Sequence, residues 1–266
     1  GSSGGVVTAA LVHWLRTGRI RGAVVTDGDP DEPARGIGVI ARTEEDLRRT
    51  QQSRYTTAPT LAALQQIQNE EGPFAAVGLP CQIHSIRTRQ LMDPRWGSRL
   101  PILIGLLCHY NLPWEAVRLA AETFAPRGAK PVRIRSRHRD ERGWPHNTLH
   151  IWYDDGSEWR TQLSPRGIFN VVSRIAPLGR CLMCLDAAAE FSDFAVGDPW
   201  IRGPDGRWKY EAAEGYSVVL VHTEHGERLW RELLEEAAIH AFEIPAEEPI
   251  EGQAAMMTEK KERTAF

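Results

Sequence analysis

The sequence predicts an α/β (α+β) fold, a mixed sheet flanked by helices with a β-rich insertion or second lobe. Three features lead to it. Helical-period segments alternate with short apolar runs over the first half of the chain, strand texture takes over at residues 130–163, and a further strand and helix follow at residues 216–238.

The elements follow in order. Residues 6–20 space Val7, Leu11, Trp14 and Leu15 along one helical face, with Gly18 available as a stop. Residues 22–26 read as a short buried strand, 27–34 as a turn rich in Asp and Pro, and 36–41 as a second strand. Thr43-Glu44-Glu45-Asp46 is a capped helix start, and residues 59–67 are helical by pattern. Residues 74–77 and 100–107 are apolar runs of strand length, each followed by a cysteine and then a helical pattern. Two cysteines should therefore share one edge of a sheet, where open α/β folds hold their ligands. Residues 132–135, 148–153 and 158–163 are strands, the last two joined by the turn Asp154-Asp155-Gly156, and 191–196 is a further, mixed strand. We divide the chain into an N-terminal α/β lobe at 1–128, a C-terminal β-rich lobe at 129–246 and a polar, peripheral tail at 247–266.

With 266 residues, 42% of them hydrophobic, and a formal net charge of −3, the chain has material for a substantial core and no basic field for nucleic acid. The basic run at 133–142 is interrupted by Asp140 and Glu141 and reads as a solvated strand end. No apolar stretch approaches the roughly 20 residues of a membrane helix, so the reading is a cytoplasmic protein without direct membrane insertion. The chain opens at Gly1-Ser2-Ser3-Gly4-Gly5 without methionine, which points to an upstream segment removed or omitted, or to an expression scar.

Chemistry concentrates in four cysteines. Cys181-Leu182-Met183-Cys184 is a C-x-x-C pair whose thiolates can converge on one metal centre, and Cys81 and Cys108 complete a set of four. A thioredoxin-like pair would open a helix after an early strand, whereas this pair comes late, after Pro177 and Gly179. One pair plus two distant singletons disfavours a tight zinc knuckle. Spacing alone leaves an iron-sulfur cluster, a structural zinc and buried core thiols all open.

The flanking motifs carry more. Ser3-Gly4-Gly5-Val6-Val7-Thr8, Ser53-Arg54-Tyr55, Val77-Gly78-Leu79-Pro80-Cys81-Gln82, Ile104-Gly105-Leu106-Leu107-Cys108, Gly143-Trp144-Pro145, Cys181-Leu182-Met183-Cys184-Leu185-Asp186 and Ser192-Asp193-Phe194-Ala195-Val196-Gly197-Asp198 occur in collinear order. In them the chain resembles the beta-subunit family of coenzyme F-420 hydrogenases and dehydrogenases. That family includes formate dehydrogenase beta subunits and ferredoxin-dependent reductases of chlorophyll-type substrates, hydroxymethyl-chlorophyll a reductase among them. The resemblance implies a 4Fe-4S cluster on Cys81, Cys108, Cys181 and Cys184, a bound FAD, and coenzyme F-420 or another organic molecule as the second redox carrier. It also implies a redox partner, either ferredoxin or a hydrogenase or dehydrogenase subunit. Many relatives place a ferredoxin-like segment before the Ser-Gly-Gly motif; here any further clusters are expected upstream or on a partner.

The same resemblance implies cofactor contacts from Ser3, Gly4, Gly5, Val6, Thr8, Arg54, Tyr55, Pro80, Gln82 and Asp198. Their chemistry suits the task. Glycines before a helix admit a diphosphate to backbone N–H groups, or simply cap the helix. Arg54 and Tyr55 suit phosphate and ring stacking, or form a surface pair. Gln82 reaches a flavin edge or caps its helix, and Asp198 orients a hydroxyl or opens a turn before Pro199. Leu182 and Met183 should supply apolar cover for the cluster. His84, His109 and His146 lie in or near the matched segments, each as readily a surface or satisfied core residue as a proton relay, and the sequence assigns no acid-base catalyst. The expected function is an iron-sulfur flavoprotein oxidoreductase, with a non-catalytic electron-relay subunit as the rival.

Overall fold

The computed structural model describes residues 4–138, 148–162, 175–212 and 214–262. Its framework is a six-stranded sheet, order β2-β1-β3-β4-β8-β9, built from β1 (Ala23–Gly28), β2 (Gly36–Ala41), β3 (Ala75–Gly78), β4 (Ile102–Leu106), β8 (Phe194–Gly197) and β9 (Val218–Val221). The interior strands β1, β3, β4 and β8 run parallel, and β2 and β9 flank them antiparallel. A second, antiparallel sheet joins β5 (Pro131–His138), β6 (Thr148–Tyr153) and β7 (Glu158–Gln162).

Both faces of the large sheet are covered at its centre, which explains why β3, β4 and β8 are apolar throughout rather than alternating. Ala23, Val25, Ala75, Ile102, Ile104, Phe194 and Val196 face α1 (Val6–Arg16) and the Glu224–Glu235 helix, against Leu11, Trp14, Leu229 and Leu233. Val24, Ala76, Leu103 and Ala195 point to the other face, toward the 3-10 helix Thr60–Ile67, α3 (Pro80–Met92) and α4 (Arg95–Arg99). The small sheet packs Leu149, Ile151 and Tyr153 against Ala121 of α5 (Trp114–Thr123).

Local chemistry sets the boundaries. The Thr43 side chain accepts from Asp46 N while Asp46 reaches back to the Thr43 backbone, so α2 (Glu44–Arg49) has the capping box that its sequence announces. Residues 60–67 coil more tightly than a pattern reading implies, as a 3-10 rather than an α-helix. The division expected at residue 128 cuts across the large sheet, since β8 and β9 lie beyond it; only β5, β6 and β7 form a separate sheet. Residues 247–261 form two short helices, Glu247–Gly252 and Ala254–Lys261, with Pro249, Met256 and Lys260 buried.

The path between Cys184 and β8 decides where the late cysteines sit. Residues 187–193 run back along β4: Ala187 O accepts from Cys108 N at 3.0 Å, and Asp193 N donates to Leu103 O at 2.8 Å. Gly105 makes room for this segment, because a Cβ there would stand 2.4 Å from the Ala189 Cβ and 2.6 Å from the Ser192 Oγ. Asp193, 2% exposed, fixes its end: its carboxylate accepts from Leu103 N (2.7 Å), Arg87 Nη2 (3.0 Å) and Thr223 Oγ1 (3.2 Å). The Ser192-Asp193-Phe194 motif is thus a structural knot between β4, α3 and the last long helix. Replacing Asp193 with Ala strands Leu103 N and Arg87, and should cost about 3 kcal/mol in urea unfolding with an unchanged m-value. A loss below about 1 kcal/mol would show that the knot is dispensable.

Candidate cofactor site

A cavity of about 420 Å³ opens where β1, β3, β4 and β8 end, lined by Thr26, Val77, Gly78, Leu106, Val196 and Gly197. Parallel strands leave their connections at this edge, so loops from distant parts of the sequence converge there. One wall is the start of α1. Gly5 caps that helix at φ 82, a left-handed conformation that glycine takes without strain, and no side chain caps its first turn. The N–H groups of Val6, Val7 and Thr8 therefore lie at the cavity without intrahelical partners. Gly4 stands outside the lining; its N–H donates to Ser217 Oγ at 3.1 Å. Ser3 lies outside the described residues.

A second wall comes from the segment 50–56. Arg54 lines the cavity but is already paired, its Nη2 donating to Asp27 Oδ1 at 3.0 Å and its Nη1 to Thr26 O at 3.3 Å. Desolvation holds the Arg54 pKa below its ordinary value, with the Asp27 charge opposing. Withdrawal from water pushes the Tyr55 phenol up, against the pull of Arg137, whose side chain hydrogen-bonds it as Ser53 does. Gln52, which sequence reasoning passed over, lines the cavity with φ 84, and its buried Oε1 has no hydrogen-bond partner.

Asp198 closes the far wall in a buried ion pair. Arg137 Nη1 donates to Asp198 Oδ2 and its Nη2 to Oδ1 at 3.2 Å, the two side chains 5% and 11% exposed. Burial works against the Arg137 charge, yet Tyr55 and Asp198 outweigh it and hold the guanidinium above its ordinary pKa. Gln82 is a cap whose Oε1 accepts from Leu79 N at 2.9 Å, while its side chain also lines the cavity. Pro80 is the buried first residue of α3 and does not reach the cavity.

The four cysteines gather beside this space. Cys108 lines it; Cys81 opens the first turn of α3, and Cys181 and Cys184 sit on the loop that the return segment carries to Cys108. Asp186 shapes that loop, accepting from Ala188 N at 3.0 Å and Glu190 N at 3.1 Å, and pairing with His84 Nε2 at 3.0 Å. The thiols feel one another. Partial burial, then the charges of Cys184 and Cys181, push Cys81 up; burial above all pushes Cys108 up to about 12, opposed by the Lys260 ammonium and reinforced by the other three sulfurs.

Their spacing bears on what they can hold. A tetrahedral zinc with Zn–S bonds of about 2.3 Å needs sulfurs about 3.8 Å apart. Among the described residues only His13, Glu232 and Glu236, on α1 and at the end of the last long helix, bring three ligand atoms within 4.8 Å of one another, so no three cysteine sulfurs do. The four thiols are thus not drawn up as a closed tetrahedral zinc site. Leu182 and Met183 do not cover it: they are 53% and 77% exposed, turned outward on a short helical turn.

The C-terminal helices complete the enclosure. Gln253 Nε2 donates to Asp198 O at 2.7 Å, Met256 lines the cavity, and Glu259 receives His109 Nε2 at 2.6 Å and the Tyr110 hydroxyl. Burial keeps His109 below its ordinary pKa despite Glu259. His146, like the Gly143-Trp144-Pro145 motif, lies outside the described residues. Among those residues no helix is long and apolar enough to cross a membrane.

Both family models of the coenzyme F-420 hydrogenase/dehydrogenase beta subunit match the chain, the N-terminal model over residues 1–65 and the C-terminal model over residues 73–247. The chain is 29% identical over 245 residues to the coenzyme F-420-dependent sulfite reductase of Methanocaldococcus jannaschii, covering 86% of this chain and 34% of that protein. It is 22% identical to the coenzyme F-420 hydrogenase subunit beta of Methanosarcina barkeri (85% of this chain, 71% of that one) and 23% identical to the protein of the same name from Methanothermobacter thermautotrophicus (98% and 86%). It thus spans about a third of the length of the sulfite reductase. A chain of the F-420-reducing [NiFe] hydrogenase complex from Methanosarcina barkeri superposes with a TM-score of 0.69 at 20% identity, over all of this chain and 83% of that one, and so shares the fold.

The Arg137–Asp198 pair should behave as a coupled unit. Arg137→Leu leaves a buried carboxylate without its cation and should cost about 3–5 kcal/mol, whereas the double change Arg137→Leu/Asp198→Asn should cost clearly less than the sum of the singles. Additive losses in that double-mutant cycle would mean that the two groups are not coupled.

Proposed function

The chain belongs to the coenzyme F-420 hydrogenase/dehydrogenase beta-subunit family, and we propose that it is an iron-sulfur flavoprotein oxidoreductase. In this reading Cys81, Cys108, Cys181 and Cys184 hold a 4Fe-4S cluster and the adjoining cavity holds FAD. The single observation that carries it is the convergence of four thiols, from α3, the end of β4 and the Cys181–Cys184 loop, beside a cavity that one of them, Cys108, helps to line. A bound flavin supplies both hydride exchange with an organic carrier and single-electron exchange with a metal centre.

The chain's own residues have definite tasks. The uncapped first turn of α1, with Gly5, Val6 and Thr8, offers N–H donors to a diphosphate. Arg54 takes part through the hydrogen-bonding capacity left beside Asp27, and Tyr55 and Asp198, braced by Arg137, fix the opposite wall. Met256 and Gln253 limit the entry of water. The names of the relatives support coenzyme F-420 as the organic carrier, and those that are hydrogenase subunits support a redox subunit as the electron partner.

Protein reconstituted anaerobically with iron and sulfide should hold about four irons per chain and release one flavin on denaturation. Cys184→Ala should lose the broad brown absorbance of the cluster. Full iron content and unchanged colour in Cys184→Ala would remove the ligand assignment, and an absence of released flavin from iron-loaded protein would favour the electron-relay alternative.

A further inference from the structure

The helix Ala254–Lys261 buries two side chains one turn apart on the same face, Met256 and Lys260. Met256 lines the cavity. Lys260 stands one turn further on, and both of its sequence neighbours are anchored beside the thiols. Glu259 receives His109 Nε2 at 2.6 Å and the Tyr110 hydroxyl, on the two residues that directly follow Cys108. Lys261 Nζ donates to Glu190 Oε1, on the segment that returns from Cys184 along β4. Lys260 is thus held at the junction of the two segments that carry Cys108, Cys181 and Cys184.

Lys260 is only 3% exposed, yet among the described residues no carboxylate or hydrogen-bond acceptor pairs with its Nζ. Lysine is almost never fully buried unless paired, because taking a lone ammonium out of water is costly. Burial is the main influence on the Cys108 thiol, and among the charges that act on it Lys260 comes first, ahead of the other three sulfurs. A buried cation without a protein anion, beside four groups that become anionic when they bind metal, is a counter-charge set in place before the metal arrives.

We propose that Lys260 is a positioning residue that serves as the fixed counter-charge of the cluster, favouring the loaded site and, more strongly, its one-electron-reduced form. This deepens the iron-sulfur reading and rests on it. Four thiolates around a 4Fe-4S core leave a net negative charge, which grows by one when an electron enters. In that step no bond is made or broken and no proton moves; the electron passes from the reductant to the iron. A positive charge close by in a partly buried setting stabilises the more negative state and so raises the potential.

The same charge works against the empty fold. Metal-free Lys260→Met, in which an unpaired ammonium gives way to an apolar chain of similar length, should melt about 3 °C higher than the unaltered protein.

The deciding test is a redox titration of reconstituted protein with dithionite, read by the electron paramagnetic resonance signal of the reduced cluster. Lys260→Met should be about tenfold harder to reduce, a midpoint about 59 mV lower for one electron, whereas Lys260→Arg keeps the charge and should stay within about twofold of the unaltered protein. Lys260→Gln takes the place of the methionine variant if that one does not fold. Loss of iron from both neutral variants, with Lys260→Arg still loaded, would support the counter-charge as well. An unchanged midpoint in the neutral variant, an equal shift in Lys260→Arg, or a metal-free melting temperature that does not rise would overturn the role of Lys260. Unaltered protein that takes up no iron would instead overturn the cluster reading on which this role rests.

Discussion

The close approach of β4 to the segment 187–192 is the constraint on which the site depends. Cys181 and Cys184 precede β8, and a parallel strand must begin at the opposite edge of the sheet from the one where β4 ends. The chain can serve both demands only by running back along β4, and Gly105 with Ala187, Ala188 and Ala189 makes that passage thin enough. Asp186 fixes the loop at the cysteine end and Asp193 fixes it at the strand end. The placement of the late cysteines is therefore a property of backbone packing, with Cys181 and Cys184 riding on it.

The cavity beside the cysteines is held open by groups that already have partners. Arg137 with Asp198 and Arg54 with Asp27 each neutralise a charge within or near the wall, and His109 hydrogen-bonds Glu259 there. Such pairs add little net stability when buried, but they hold side chains in one geometry, beside the uncapped α1 N-terminus. In the proposed reading, a wall that does not reorganise would let a flavin and a metal centre sit close in a fixed relation. Lys260, 3% exposed and acting on both Cys108 and His109, brings positive charge to the side of the quartet where thiolates would concentrate negative charge.

Much of the fold was legible because its signals are local. Apolar runs marked β1, β3 and β4, the threonine–aspartate spacing marked α2, and turn residues marked the β6–β7 hairpin. Of the contacts expected from the collinear motifs, Gly5, Val6, Thr8, Arg54, Tyr55, Gln82 and Asp198 line the cavity, whereas Gly4 and Pro80 do not. What escaped depends on contacts distant in sequence. Membership of β8 and β9 in the large sheet is settled by β4, far earlier in the chain. The helices after residue 246 looked polar because their buried side, Pro249, Met256 and Lys260, is small and includes a charge. The roles of Asp193 and Arg137 were invisible for the same reason: nothing beside them in sequence announces the partners they meet in space.

The central claim is that one metal centre and one flavin occupy adjoining sites at the strand ends. Anaerobic crystals of the reconstituted protein, measured at the iron absorption edge, test it directly. The account predicts a single anomalous iron site enclosed by Cys81, Cys108, Cys181 and Cys184, with isoalloxazine density in the cavity between Gly5 and Asp198. Iron elsewhere, or these four sulfurs free while iron is present, would contradict it.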